Sequence, residues 1–114
     1  MRDFRELLNR NCSESDSRIV MKGIEVGNYT LSIQASHFHY CTPRTTLINL
    51  FDYKTMEVAI FKDGEWNNIR DDSFFDDWKY RTEFLENYDG MVAGYIPINI
   101  IQNLCNYIEG KSND

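Results

Sequence analysis

The stretch Tyr29-Thr30-Leu31-Ser32-Ile33-Gln34-Ala35-Ser36 decides the fold class, because larger apolar and small polar residues alternate through it without a break. Successive side chains of an extended chain point to opposite faces. Tyr29, Leu31, Ile33 and Ala35 therefore share one face, and Thr30, Ser32, Gln34 and Ser36 the other. That pattern is a half-buried strand. Gly27-Asn28 marks a turn before it, and Pro43, which cannot donate to a ladder, ends it.

Met56 to Phe61 reads as a second strand, followed by Asp63-Gly64, a two-residue hairpin signal. The hairpin would pair Lys62 with Glu65, Phe61 with Trp66, and Val58 with Ile69. Val92 to Ile96 is a further strand, and another lies near Arg18–Lys22. At the start, Asp3-Phe4-Arg5-Glu6 has capping-box spacing ahead of Leu7 and Leu8, which predicts a short helix, and a polar linker follows over 11–17. At the end, Ile101, Leu104, Cys105 and Ile108 form a helical apolar stripe. Asn99 is its expected cap, Gln102 holds the capping-box position, and Gly110 follows its end. The sum is one α+β domain. It has an antiparallel sheet of about four or five strands, the usual size, with an N-terminal helix and linker over 1–17, mainly sheet and loops over 18–96, and a C-terminal helix over 99–109.

Composition narrows the function. The 114 residues carry a net charge of −6. Such a chain lacks the basic surface that direct nucleic-acid binding or docking on anionic membranes requires. The excess negative charge lies in the second half: residues 51–114 hold thirteen Asp/Glu against six Lys/Arg. Three cysteines without a C-x-x-C pair point to reduced thiols and a cytoplasmic setting, and the N-terminus lacks the apolar run of a signal peptide. No phosphate loop, nucleophile elbow or H-E-x-x-H is present, so the reading leans away from an enzyme, and no cofactor is expected.

Two stretches could carry function. Ser36 to Arg44 holds both histidines, Cys41, Phe38, Tyr40 and Arg44. His37, His39, Tyr40 and Arg44 could hold a nucleotide-like small molecule, the rings stacking on a base and the guanidinium forking onto a phosphate. His37, His39 and Cys41 share a strand face as zinc ligands do, with Cys12, Asp52 or Cys105 needed as a fourth. Cys41 could also be a histidine-activated nucleophile, although strand spacing of roughly 6.5–7 Å between alternate residues works against contact. The bland alternative is that the rings fill the core and the histidines bond at a strand end.

The second stretch, Asp71-Asp72-Ser73-Phe74-Phe75-Asp76-Asp77-Trp78, sets aromatic rings among carboxylates. Phe74, Phe75 and Trp78 would anchor a protein partner while Asp71, Asp72, Asp76 and Asp77 steer it, as in a binding hot spot. The alternative here is rings packed inward beneath solvated acids.

Ser32–Ser36, His39–Arg44, Met56–Phe61 and Val92–Pro97 together resemble small uncharacterised proteins of bacterial viruses. What the resemblance implies is a setting in the host cytoplasm and antagonism of a host defence process, by blocking a protein effector or by sequestering a nucleotide signal; the pocket around His37, His39, Tyr40 and Arg44 would hold such a signal at a homodimer interface. No site residue comes from it. The leading expectation is a non-enzymatic binder of a host protein through the acidic aromatic segment. Sequestration around His37–Arg44 is the alternative, and a small metal- or cysteine-dependent enzyme a third.

Overall fold

The structure, a computed structural model, describes residues 1–8, 10, 11 and 20–113. Cys12, most of the expected linker, and Arg18 and Ile19 of the expected first strand lie outside the described residues.

The alternating stretch forms β4 (Tyr29–Gln34), following β3 (Ile24–Val26) across the Gly27-Asn28 turn. Next in sequence come β5 (Thr55–Lys62) and β6 (Glu65–Trp66), then α1 (Arg81–Glu86), β7 (Tyr88–Asp89), β8 (Val92–Pro97) and α2 (Ile98–Ser112). The sheet is antiparallel throughout and runs β3-β4-β5-β8-β7, with β6 pairing to β5 beside β8. Among the described residues it has six strands, one more than the upper expectation, because short edge strands at β6 and β7 add to the main ladder. Earlier in the chain, β1 (Arg10–Asn11) and β2 (Val20–Met21) form a separate two-stranded ladder.

The register explains the core. Leu31 lies opposite Ile60 and Ile24, Ile33 opposite Val58, Val58 opposite Ala93, and Met56 opposite Ile96. Residues directly opposite share a face, and all of these are buried. Against them α2 lays the expected stripe of Ile101, Leu104, Cys105 and Ile108, together with Ile100, all buried. On the other face Gln34 is buried as well, because its side-chain amide stands in for a neighbouring strand. Its Oε1 accepts from the Met21 amide at 2.7 Å and its Nε2 donates to the Met21 carbonyl at 2.7 Å.

The hairpin turns on Asp63 and Gly64, with φ of 54° and 80°. Both positive values belong to the type I′ turn, whose twist matches its strands. Lys62–Glu65 and Phe61–Trp66 pair as expected. Val58 does not face Ile69. The chain leaves the ladder after Asn67, where the Asn68 side chain accepts from the Arg70 amide and starts a 3-10 turn over Ile69–Asp71, and β8 takes that edge of β5 instead.

Both helix ends of the chain also differ from expectation. The first helix is one 3-10 turn, Phe4–Leu7, and the Asp3 carboxylate accepts from the Arg5 amide, with the Arg5 guanidinium forked onto it at 3.0 and 2.7 Å, while the Glu6 amide goes to the Asp3 backbone carbonyl instead. Neither Asn99 nor Gln102 caps α2. Helix α2 starts directly from β8 at Pro97, and Gln102 reaches across to the Phe4 amide (2.8 Å) and the Arg2 carbonyl (3.0 Å), which ties the N-terminal turn to α2. Gly110 is inside the helix, not beyond it.

Candidate functional site

Ser36 organises the histidine stretch from a fully buried position at the end of β4. Its Oγ accepts from the Phe38 amide at 3.0 Å and pairs with His39 Nδ1 at 2.6 Å, while its carbonyl accepts from the His39 amide and the Cys41 thiol at 3.3 Å each. His37 turns away to Thr46 Oγ1 (Nδ1, 2.7 Å) and lies on the Phe38 ring, 4.0 Å between centroids. The two histidines thus serve different hydroxyls. Cys41 is 1 % exposed, and burial pushes its thiol pKa up, which keeps the sulfur protonated and a poor nucleophile. Burial likewise lowers the His39 pKa and favours its neutral ring. Among the described residues no three His, Cys, Asp or Glu side chains are grouped to hold a metal ion.

Tyr40 and Arg44 face elsewhere. The Tyr40 amide donates to Glu57 Oε2 (2.9 Å), its carbonyl accepts from the Tyr95 amide (2.9 Å), and the Arg44 guanidinium sits 5.0 Å over its ring. This junction exists because β8 bulges. Between Met56–Ile96 and Val58–Ala93 the register shifts, so Gly94 and Tyr95 together oppose Glu57. A Cβ on Gly94 would lie 2.7 Å from the Tyr40 Cβ, which only glycine avoids. Tyr95 has a φ of 55°, rare for an aromatic residue, and is 46 % exposed, its ring beside that of Tyr40 with centroids 5.9 Å apart.

A surface depression of about 240 Å³ opens at this bulge, lined by Tyr40, Tyr88, Tyr95, Gly94, Glu86 and Asp89 among others. Tyr88 is half-buried against Phe84 (5.4 Å), and burial pushes its hydroxyl pKa up to about 12. Glu86 and Asp89 are exposed. A glycine inside a strand pattern signals a bulge or a close backbone approach, so Gly94 was the available pointer to this place. Nothing in local spacing links it to Tyr40, more than fifty positions earlier.

The acidic aromatic segment is divided by its fold. Phe75 and Trp78 are 0 % and 3 % exposed, and Phe74 is half-buried. Phe75 packs on Tyr29 (5.2 Å) and Tyr107 (6.1 Å), Trp78 donates from Nε1 to Asn103 Oδ1 (2.8 Å), and Lys111 covers Phe74 at 4.8 Å. Phe75 and Trp78 thus face the core, and Phe74 is partly covered. Asp72 is also structural: it accepts from the Tyr29 hydroxyl (2.6 Å), the Phe74 amide (3.0 Å) and Asn67 Nδ2 (3.1 Å). Burial alone would raise its carboxyl pKa, but these donors and the nearby Lys62 charge outweigh burial and hold it low. Asp71, Asp76 and Asp77 remain exposed.

No protein-family model matches the sequence, and neither a curated protein nor a solved structure matches the chain. No helix among the described residues is long and apolar enough to cross a membrane.

Proposed function

We propose that the protein is a non-enzymatic binder that occupies a basic surface on a partner protein through its acidic face, and so interferes with the partner's process. A host defence process is the setting that goes with the resemblance to proteins of bacterial viruses. One observation carries the reading. Phe75 and Trp78 are sunk in the core, so the Asp71–Trp78 segment is fixed while Asp71, Asp76 and Asp77 stay in solvent. A fixed row of carboxylates on a chain of net charge −6 attracts a positive surface and speeds encounter with it. The rings support the surface from beneath instead of forming it.

The competing readings draw less support. Sequestration of a nucleotide would need Tyr40 as a stacking face, yet Arg44 lies on that ring and exposed Glu86 and Asp89 line the adjoining depression, where they repel phosphate. An enzyme built on the histidine stretch would need an accessible nucleophile, whereas Ser36 and Cys41 are both buried.

Affinity capture with variant baits tests the reading. Wild type and a variant with His39→Ala and Arg44→Ala should retain one basic protein from host lysate, and a variant with Asp71→Asn, Asp76→Asn and Asp77→Asn should lose it. Retention by the aspartate variant together with loss by the histidine–arginine variant would sink the proposal.

A further inference from the structure

We infer that the depression at the β8 bulge receives a cationic side chain of the partner, an arginine before a lysine. This rests on the proposed docking of a basic protein and names the pocket that anchors it. Tyr88 and Tyr95 supply aromatic rings, Tyr40 being already covered by Arg44, and Glu86 and Asp89 supply exposed carboxylates at the same depression. A cation gains from the negative faces of such rings and from the carboxylates together, and a planar guanidinium can stack on a ring while it bonds a carboxylate. Neither a phosphate nor an apolar side chain would use both features.

The protein already shows this affinity within itself: Arg44 holds its guanidinium 5.0 Å over the Tyr40 ring. That internal arginine competes with an incoming one. Asp71 of the acidic segment belongs to the Ile69–Asp71 turn, which packs against α1, and α1 ends at Glu86 just before Tyr88. A basic surface meeting Asp71 can therefore reach the depression. Tyr95 itself points to use of its ring. An aromatic residue at φ 55° stores strain that glycine would not, and its side chain recovers little burial in return, being 46 % exposed.

Fluorescence anisotropy with a labelled hexa-arginine peptide, and hexa-citrulline as the uncharged isostere, tests this on the full chain. Hexa-arginine should bind and hexa-citrulline should not. Tyr95→Gly, which suits the backbone there, and the pair Glu86→Gln with Asp89→Asn should each weaken hexa-arginine binding by roughly fivefold or more. Arg44→Ala should leave binding unchanged or tighten it. In ¹⁵N NMR titrations, N-acetyl-argininamide should shift the Gly94 and Tyr95 amides. If hexa-arginine binds and loses affinity only on removal of Asp71, Asp76 and Asp77, the pocket is refuted and the acidic-face reading stands. If hexa-arginine does not bind at all, both fall. Loss of binding on Arg44→Ala would overturn the inference, since a cation that competes for the depression cannot be required for hexa-arginine to bind.

Discussion

Phe75→Ala separates a ring that builds the core from one that meets a partner. Phe75 is 0 % exposed, and its neighbours are rings from different elements: Tyr29 of β4 at 5.2 Å, Phe74 at 5.1 Å and Tyr107 of α2 at 6.1 Å. Losing the ring forfeits its burial and leaves a cavity whose walls, held by a sheet and a helix, collapse poorly, so the expected cost is about 3–5 kcal/mol. A chain of 114 residues has a total stability on the order of 6–17 kcal/mol at typical values per residue. The variant should therefore fold but melt about 12–20 °C lower, at roughly 4 °C per kcal/mol for this size. Urea unfolding followed by far-UV circular dichroism measures the loss, with Asp76→Asn as an exposed neighbour expected within about 0.5 kcal/mol of wild type. A Phe75→Ala loss below about 1 kcal/mol would refute the packing argument and return this ring to the surface.

Three further outcomes follow from the same structure. Gln34→Leu strands the buried amide and carbonyl of Met21, and urea titration should find it destabilised by about 2–4 kcal/mol, although a leucine is more apolar. Gly110→Ala adds a methyl group to the interior of α2 where nothing lies within 4 Å, and thermal melting should show a gain of about 0.5–1 kcal/mol. Asp72 has a folded-state pKa below its model-peptide value of 3.8, so its contribution to stability is present above that value and is lost as pH falls through the lower, folded-state value. Denaturation curves from pH 6 to pH 2 should accordingly fall less steeply for Asp72→Asn than for wild type, and parallel curves would contradict the bonding assigned to Asp72.

The sheet was legible because its signals are local. Alternation over Tyr29–Ser36 and the Asp63-Gly64 turn each specify geometry within a few residues, and the apolar stripe of α2 does the same over two turns. What sequence could not settle depended on partners far along the chain. Rings at 74, 75 and 78 suit a buried face as well as an exposed hot spot. Tyr29, Asn103, Tyr107 and Lys111 decide between the two, and they lie some 25 to 45 positions away. The α2 cap was misread for the same reason, since Gln102 finds the N-terminal backbone nearly a hundred residues distant. The histidine stretch drew attention by density alone. Its histidines divide between Ser36 and Thr46, Cys41 joins the core, Phe38 stays exposed, and Tyr40 lines the depression that Gly94 and Tyr95 open.

The central claim is that the acidic face, and not the histidine stretch, does the binding. It is tested most directly by titrating labelled hexa-arginine against wild type and the Asp71→Asn, Asp76→Asn, Asp77→Asn variant at 50 and 300 mM salt, between which the screening length shrinks about 2.5-fold. The account predicts binding that weakens with salt in the wild type, and weaker, less salt-sensitive binding in the variant. Equal affinities for the two proteins at both salt concentrations would contradict it.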